Sequence, residues 1–296
     1  MNNIGFVGLG NMGFGMANNI LKKNKELNVY SRTKSKIELL GEGNIIEHSS
    51  ISSIAASCDV LFTCLPNIQT SIDIFLGKGG ILESSNSESV IVDHSTVDVD
   101  TSKLIWEKSL DKSVYFIDAP ISGGPEGAKS GSLTIMCGGD SVAFEKIKHI
   151  LEMMGTSVVH MGGAGTGTMM KLVNQLLTSV NTVASIEALL FADESGIDVK
   201  SALSVLKSSF GYSKMVERNV PYFAKKRFEN SSAPIRNIEK DLKIILDYSQ
   251  MLNLKLPLTE LSLNIFTETN KLDLVEPDMS AISVYLKKLG EKNEWI

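Results

Sequence analysis

Gly8-Leu9-Gly10-Asn11-Met12-Gly13 follows a short apolar run, Asn3 to Gly8, and opens a helical pattern from about Met12 to Lys23. The spacing is GxGxxG between a strand and a helix. Gly8 permits the tight turn, Gly10 leaves bare backbone where a pyrophosphate approaches, and Gly13 lets the helix pack on the strand. Asn11 and Met12 lie at the helix N-terminus that faces the phosphates. The next strand, Leu27 to Tyr30, ends without the Asp or Glu that would accept a ribose 2′-hydroxyl, and runs instead into Ser31-Arg32-Thr33, with Lys34 and Lys36 following. This cationic, hydroxyl-bearing loop suits a 2′-phosphate. A charge-assisted hydrogen bond contributes about 1.5–3 kcal/mol, which at about 1.4 kcal/mol per tenfold favours NADP by one or two orders of magnitude. NADP is the expected cofactor and NAD the alternative; a solvated basic turn is the plainer reading of the same residues.

A second group lies in the segment from Gly162 to Gly196, where a glycine-rich loop runs into the longest helical pattern and the one basic residue is Lys171. At 100° per residue Lys171, Asn174, Thr178, Asn181 and Ser185 fall along one side, with Gln175, Ser179 and Thr182 beside them. Leu172, Val173, Leu176, Leu177, Val180, Val183 and Ala184 fill the opposite arc. No charge occurs from Leu172 to Ile186, so the polar side is expected to face protein or a cleft rather than water. The residues alone leave two readings of Lys171 open: an amine placed for proton transfer, or a lysine reaching water along an apolar stem. A third group is the loop Asp118-Ala119-Pro120-Ile121-Ser122-Gly123-Gly124-Pro125, where a hydroxyl stands beside two bare backbone positions. Such a loop presents N–H groups to an anion such as a substrate carboxylate, or is simply a turn.

The elements that must position these groups are legible as a rhythm. Strand-like runs at Val60–Cys64, Val90–Val92, Tyr115–Ile117, Leu133–Met136 and Val158–His160 alternate with helical ones, which predicts a Rossmann-type, doubly wound parallel sheet. Two of the strands end in Leu65-Pro66-Asn67 and Asp93-His94-Ser95-Thr96, and in such a sheet the carboxyl ends of strands border the ligand crevice. Past Gly196 helical patterns take over, at Ile238–Leu252, Pro257–Lys271 and Met279–Lys292. The expected organisation is an α/β dinucleotide-binding domain over 1–163 and an all-helical domain over 164–296, joined by a long helix of about 40 Å that Gly196 stops.

Composition narrows the function class. With 296 residues, 43% hydrophobic and 21% charged, the chain reads as globular, and two cores fit its length. A net charge of -5 without a basic patch argues against nucleic acid as a partner. Cys58, Cys64 and Cys137 lack CxxC spacing, and the four histidines lack ligand spacing, so neither a disulfide framework nor a metal site is expected. The N-terminus lacks a basic leader region, and the polar residues that interrupt the long helix make it a poor membrane span. The expectation is a cytoplasmic homo-oligomer with a small carboxylated substrate and no membrane partner.

The chain resembles the β-hydroxyacid dehydrogenase family, which contains 3-hydroxyisobutyrate dehydrogenase and the semialdehyde reductases. The resemblance covers nearly the whole length and rests on IGFVGLGNMGFGMA, CLPN, DHST, DAPISGGPEGAKSG, GAGTGTMMKLVNQ and Lys240-Asp241-Leu242, in that order. It implies that Ser122, Gly123 and Gly124 hold a substrate carboxylate, that Lys171 is the catalytic residue with Asn174 one turn on, and that Leu65, Thr96 and Lys240 border the cofactor. Two positions depart from the family pattern: Ser232-Ala233 stands where many members have Gly-Phe, and Met279 where Phe is common. The implied activity is reversible reduction of short carboxylated aldehydes. A free lysine, pKa about 10.4, is a ready acid for that direction, and burial beside a cationic nicotinamide favours its neutral form for the reverse. Two other readings share the architecture: a 6-phosphogluconate-type oxidative decarboxylase, which needs more C-terminal helix and a basic cluster, and a dinucleotide-binding sensor without turnover.

Overall fold

In the computed structural model, which describes residues 3–231 and 234–292, the chain divides into two compact units, Met1–Lys171 and Leu172–Ile296. The first begins with β1 (Ile4–Val7), α1 (Gly13–Asn24), β2 (Glu26–Tyr30), α2 (Ser35–Glu38), β3 (Asn44–Glu47), α3 (Ile51–Ser57) and β4 (Val60–Thr63). It continues through α4 (Ile68–Leu76), α5 (Ile81–Ser84), β5 (Val90–Asp93), α6 (Val99–Leu110), β6 (Tyr115–Asp118) and β7 (Ile121–Ser122). Then come α7 (Gly124–Ser130), β8 (Leu133–Gly139), α8 (Ser141–Leu151) and β9 (Gly155–Gly162).

The strands form one sheet in the order β3-β2-β1-β4-β5-β6-β8-β7, with β9 paired to β8. From β3 to β6 every pairing is parallel, as the alternation of strands and helices predicts. The sheet reverses beyond β6: β8 runs antiparallel to β6 and β7, and only β9 is parallel to it. Period-2 alternation splits the buried strand residues between two cores. Phe6, Phe62, Val92 and Ile117 pack with α1 and α8 on one face, and Val7, Leu61, Ile91 and Phe116 pack with α3, α5 and α6 on the other.

The helix α9 (Thr166–Glu194) carries the chain into the second unit, which adds α10 (Val199–Leu206), α11 (Lys214–Ala224), α12 (Ile235–Met251) and α13 (Pro257–Asn270). A 3₁₀ turn, Met279–Ala281, leads into α14 (Ile282–Lys292). No strand occurs here among the described residues beyond an isolated bridge between Pro234 and Asp278. Arg218 makes a two-pronged ion pair with buried Asp278, which also accepts from Ser231 Oγ at 2.7 Å and Ser280 N at 2.9 Å. That network ties α11 to the start of α14.

The polar side of α9 is the buried one. Ser179, Thr182 and Ser185 are shielded, and each hydroxyl donates to a carbonyl three or four residues back on the same helix, so these three are satisfied locally. Asn219 on α11 adds a bond to Ser185 Oγ at 2.7 Å. The apolar arc, by contrast, leaves Val173, Leu177 and Phe191 47%, 53% and 77% exposed. By length and composition α9 is also apolar enough to span a membrane, with a best window of mean hydropathy 1.3. Gly196, at φ 77°, takes the left-handed conformation expected of the stop.

Candidate active site

Parallel register fixes which groups share an edge. Val7 is level with Tyr30 and with Thr63, and Thr63 with Asp93, so the loops leaving β1, β2, β4 and β5 emerge side by side at the carboxyl edge of the sheet. Those loops hold Gly8 to Gly13, Ser31 to Lys36, Leu65-Pro66 and Thr96. Strand order reverses between β1 and β4, which is the switch point where open α/β sheets bind ligands. The edge is braced from below by buried Asp93, whose Oδ1 accepts from Thr63 Oγ1 at 2.7 Å and Ser95 Oγ at 2.5 Å. Ser95 Oγ in turn accepts from Leu65 N at 2.8 Å, which fixes the start of the Leu65-Pro66 loop. Asn67 is occupied locally, capping α4 through Thr70 N at 2.8 Å.

The glycines of the first loop behave as their spacing requires. Gly8 sits at φ 97°, and a Cβ on Gly13 would lie 2.0 Å from Gly8 O. A Cβ on Gly10 would meet no protein atom within 4 Å, so the backbone there faces open space. Helix α1 starts at Gly13 with neither a side-chain cap nor an acid in its first turn, whereas α3, α4, α6 and α8 are capped by Ser50, Asn67, Asp98 and Asp140. Its positive dipole end therefore carries no negative group from its own first turn, which suits an anion. Beyond Tyr30, Ser31 and Lys36 are half-buried and Arg32 and Thr33 exposed; Thr33 N donates to Ser31 Oγ at 3.2 Å. Lys34 lies 3.7 Å from Glu47 on the surface, a pair of little energetic weight.

The carboxyl edge also receives α9. Asp118, level with Asp93 and 2% exposed, accepts from Gly165 N at 2.8 Å and Thr168 N at 2.6 Å, so a strand end closes the first turn of the long helix. Burial holds the Asp118 carboxyl above its usual range, opposed by those two N–H groups. Lys171 follows one turn later and is 8% exposed, so most of its side chain is shielded from water. Ser122, half-buried, ends β7, and Gly123 and Gly124 follow at φ 135° and 64°, conformations that only glycine adopts easily. The first unit therefore holds the Gly8–Gly13 loop, the basic loop, the Ser122–Gly124 loop and Lys171.

Asn174 and Lys240 belong to the second unit. Asn174 Nδ2 donates to Gln175 Oε1 at 3.0 Å, and Gln175 Nε2 donates to Asp241 Oδ2 at 2.6 Å. Lys240 Nζ is 3.1 Å from Asp241 Oδ1, so buried Asp241 joins the two residues named from sequence. Sequence reasoning missed Gln175 and Asp241 as partners, although Asp241 stands inside the Lys240-Asp241-Leu242 motif. Met279 is half-buried at the head of the 3₁₀ turn, while Ser232-Ala233 lies outside the described residues. Among the described residues no group of three His, Cys, Asp or Glu is arranged to hold a metal. Burial pushes the thiols of Cys58, Cys64 and Cys137 up to about 12, so none is a thiolate nucleophile at neutral pH.

Residues 3–163 match the family model for the NAD binding domain of 6-phosphogluconate dehydrogenase. Residues 165–286 match the model described as "NAD-binding of NADP-dependent 3-hydroxyisobutyrate dehydrogenase". The chain is 31% identical to 2-(hydroxymethyl)glutarate dehydrogenase of Eubacterium barkeri over 279 residues, 94% of this chain and 93% of that one. It is 30% identical to glyoxylate/succinic semialdehyde reductase 2 of Arabidopsis thaliana over 285 residues, 96% and 79% of the two chains. A crystal structure of 3-hydroxyisobutyrate dehydrogenase from Salmonella typhimurium matches with a TM-score of 0.85 and 26% identity, over 96% of this chain and 99% of the other. The chain belongs to the β-hydroxyacid dehydrogenase family.

As a β-hydroxyacid dehydrogenase it is an NAD(P)-dependent oxidoreductase, and its first unit fits the dinucleotide. Open space over Gly10 beside an uncapped helix N-terminus suits the pyrophosphate, and the carboxyl ends of β4 and β5 border the rest. At the same edge His94 is fully enclosed. Its Nδ1 lies 2.6 Å from Ala119 O, which can only accept, so Nδ1 carries the proton, and its ring stacks on Phe62 at 5.6 Å.

Burial lowers the His94 pKa to about 4, from an ordinary value near 6.5. The unfolded chain therefore binds the extra proton first as pH falls, and stability is lost between pH 6.5 and 4, by about 3 kcal/mol at full extent. His48, lowered by burial, works in the same direction, while Asp93 and Asp118, raised by burial, work in the opposite one at the acid end. Urea unfolding of wild type and His94→Asn across that range checks this: the variant should show the shallower slope, and parallel curves would contradict it.

Proposed function

We propose that this β-hydroxyacid dehydrogenase is an NADP-preferring reductase of short aldehydes that carry a carboxylate, acting reversibly on the corresponding hydroxy acids. The observation that carries the reading is Lys171, a buried amine one turn beyond a helix start fixed at the cofactor edge, in the same unit as the Ser122–Gly124 loop. Bound NADPH supplies the hydride for such a reduction. The chain's own contribution is placement and proton transfer. Backbone N–H groups at Ser122, Gly123 and Gly124 hold the substrate carboxylate. The Lys171 ammonium faces the carbonyl oxygen, stabilises the negative charge that develops there and donates the proton that makes the alcohol; in the reverse direction its neutral amine accepts that proton. Asn174 follows one turn on along the same helix, and Leu65, Pro66 and Thr96 border the cofactor.

Two relatives that act, by name, on 2-(hydroxymethyl)glutarate and on glyoxylate and succinic semialdehyde support a small carboxylated substrate. The second family model, named for 3-hydroxyisobutyrate dehydrogenase, favours this reading over a decarboxylase of the 6-phosphogluconate type. The test is a spectrophotometric panel of semialdehydes and hydroxy acids with both cofactors. Succinic semialdehyde should exceed butyraldehyde in kcat/KM by at least tenfold, because the aldehyde without the acid leaves the loop's donors unmatched. Equal values for the two would remove the carboxylate role of Ser122, Gly123 and Gly124.

Cofactor preference rests on Ser31, Arg32, Thr33 and Lys36 and on the missing acid after Tyr30. NADPH should bind ten- to a hundredfold better than NADH, and Arg32→Asp should narrow or reverse the ratio through binding rather than kcat. A tenfold wild-type preference for NADH would show that the loop does not read the 2′-phosphate.

A further inference from the structure

We infer that Asp118 is the positioning residue that sets Lys171 against the Ser122–Gly124 loop, an inference that rests on the roles proposed for those two groups. Helix starts are normally capped by a residue of the same segment, but the first turn of α9 is closed by a side chain 47 and 50 residues earlier. Both carboxylate oxygens are committed to that turn, one to Gly165 N and the other to Thr168 N.

Close packing of backbone on backbone fixes the same contact. A Cβ on Gly167 would lie 2.2 Å from Met136 O and 2.5 Å from Asp118 O, and one on Gly138 would lie 2.6 Å from Asp118 Oδ1 and 2.7 Å from Gly167 N. Without a side chain at either glycine, the turn rests on β6 and β8 with no room to slide. Lys171 follows Thr168 by three residues, and helix side chains lean towards the N-terminus, so the lysine's stem rises from the turn Asp118 holds.

The other direction along the chain is equally constrained. Ser122 stands four residues beyond Asp118, and the link between them is pinned by Ala119 N to Asp93 O at 2.8 Å, by Met136 N to Pro120 O at 3.0 Å and by the pairing of Ser122 with Thr134. One carboxylate thus joins the segment that bears the proton donor to the segment that bears the proposed carboxylate site. A plain capping role would stabilise the fold and nothing else. A positioning role has a kinetic signature, because a misplacement of about 1 Å costs on the order of 10²-fold in rate.

Asp118→Asn keeps the shape but turns an amide NH2, itself a donor, towards a backbone N–H, so the turn must shift. Its kcat should fall at least tenfold while the NADPH dissociation constant stays within threefold of wild type. In a Lys171→Met background the same substitution should cost no further kcat, because the group it positions is gone. If Asp118→Asn turns over within twofold of wild type while Lys171→Met collapses, the inference alone fails. Equal losses in both backgrounds would also overturn it. Near-normal turnover by Lys171→Met would instead sink the lysine's role and the inference with it. Should Asp118→Asn not fold, Gly138→Ala keeps every hydrogen-bonding group yet presses on Asp118 Oδ1, and it should show the same fall in kcat at unchanged NADPH affinity; a wild-type kcat there would overturn the inference equally.

Discussion

Lys171→Met is expected to lower kcat at least a hundredfold while NADPH binds within a few-fold of wild type. General acid catalysis contributes about 10²–10⁴-fold, or about 3–5 kcal/mol of barrier, and no other cation among the described residues shares the helix face from Thr168 to Ser185. Methionine keeps most of the apolar stem, so packing around a residue that is 8% exposed changes little. Tm, read alongside, shows whether the variant keeps its fold. The measurement is kcat beside the NADPH dissociation constant and Tm. Near-normal turnover would return the helix to a structural role, and a collapse of kcat and NADPH affinity together would point to disruption of the whole site.

The second large effect separates binding from folding within one loop. Gly10→Ala is expected to leave Tm within a few degrees, because the new Cβ meets nothing in the protein within 4 Å. It intrudes instead on the space where the pyrophosphate lies against bare backbone, and overpacking of that order costs about 1–3 kcal/mol, or roughly 5- to 150-fold in NADPH affinity. Gly13→Ala should do the reverse. Its Cβ would lie 2.0 Å from Gly8 O, so strand and helix must part and the fold itself should lose stability. Thermal unfolding without cofactor, set beside NADPH titration, distinguishes the two. A Gly10→Ala protein that binds NADPH normally would show that the pyrophosphate does not cross this loop.

Much of this was legible because the signals are local. GxGxxG names its own strand and helix, and β1, β4 and β5 are short apolar runs buried throughout, their alternate residues divided between two cores. What periodicity does not carry is direction. Nothing in Leu133 to Met136 says that β8 runs against β6, and β7, two residues long, has no pattern to read. Strand β3 was missed because Asn44–Glu47 is mostly exposed at the sheet edge. Helix α11 was missed because Pro221 inside it reads as a break, and α10 because eight residues are too few to show a period. The lysine and its loop were visible as residue types, but Asp118 was not recognisable as the residue that joins them. A capping box is read within four residues, and this cap crosses 50. The inward turn of the polar side of α9 was legible in its lack of charge, whereas the exposure of Val173, Leu177 and Phe191 was not.

The tie between Asp118 and α9 also bears on modularity. The first family match ends at residue 163, ahead of both N–H groups that Asp118 uses, at Gly165 and Thr168. A nucleotide-binding fragment cut there would retain the carboxylate and lose both its donors, leaving an unpaired acid where the sheet receives the helix. A fragment continued past Lys171 keeps them, and it keeps the amine as well. Chimaeras that exchange the helical half between relatives therefore have their natural seam inside α9, beyond its second turn. Lys171, the proposed proton donor, is then inherited with the nucleotide-binding half.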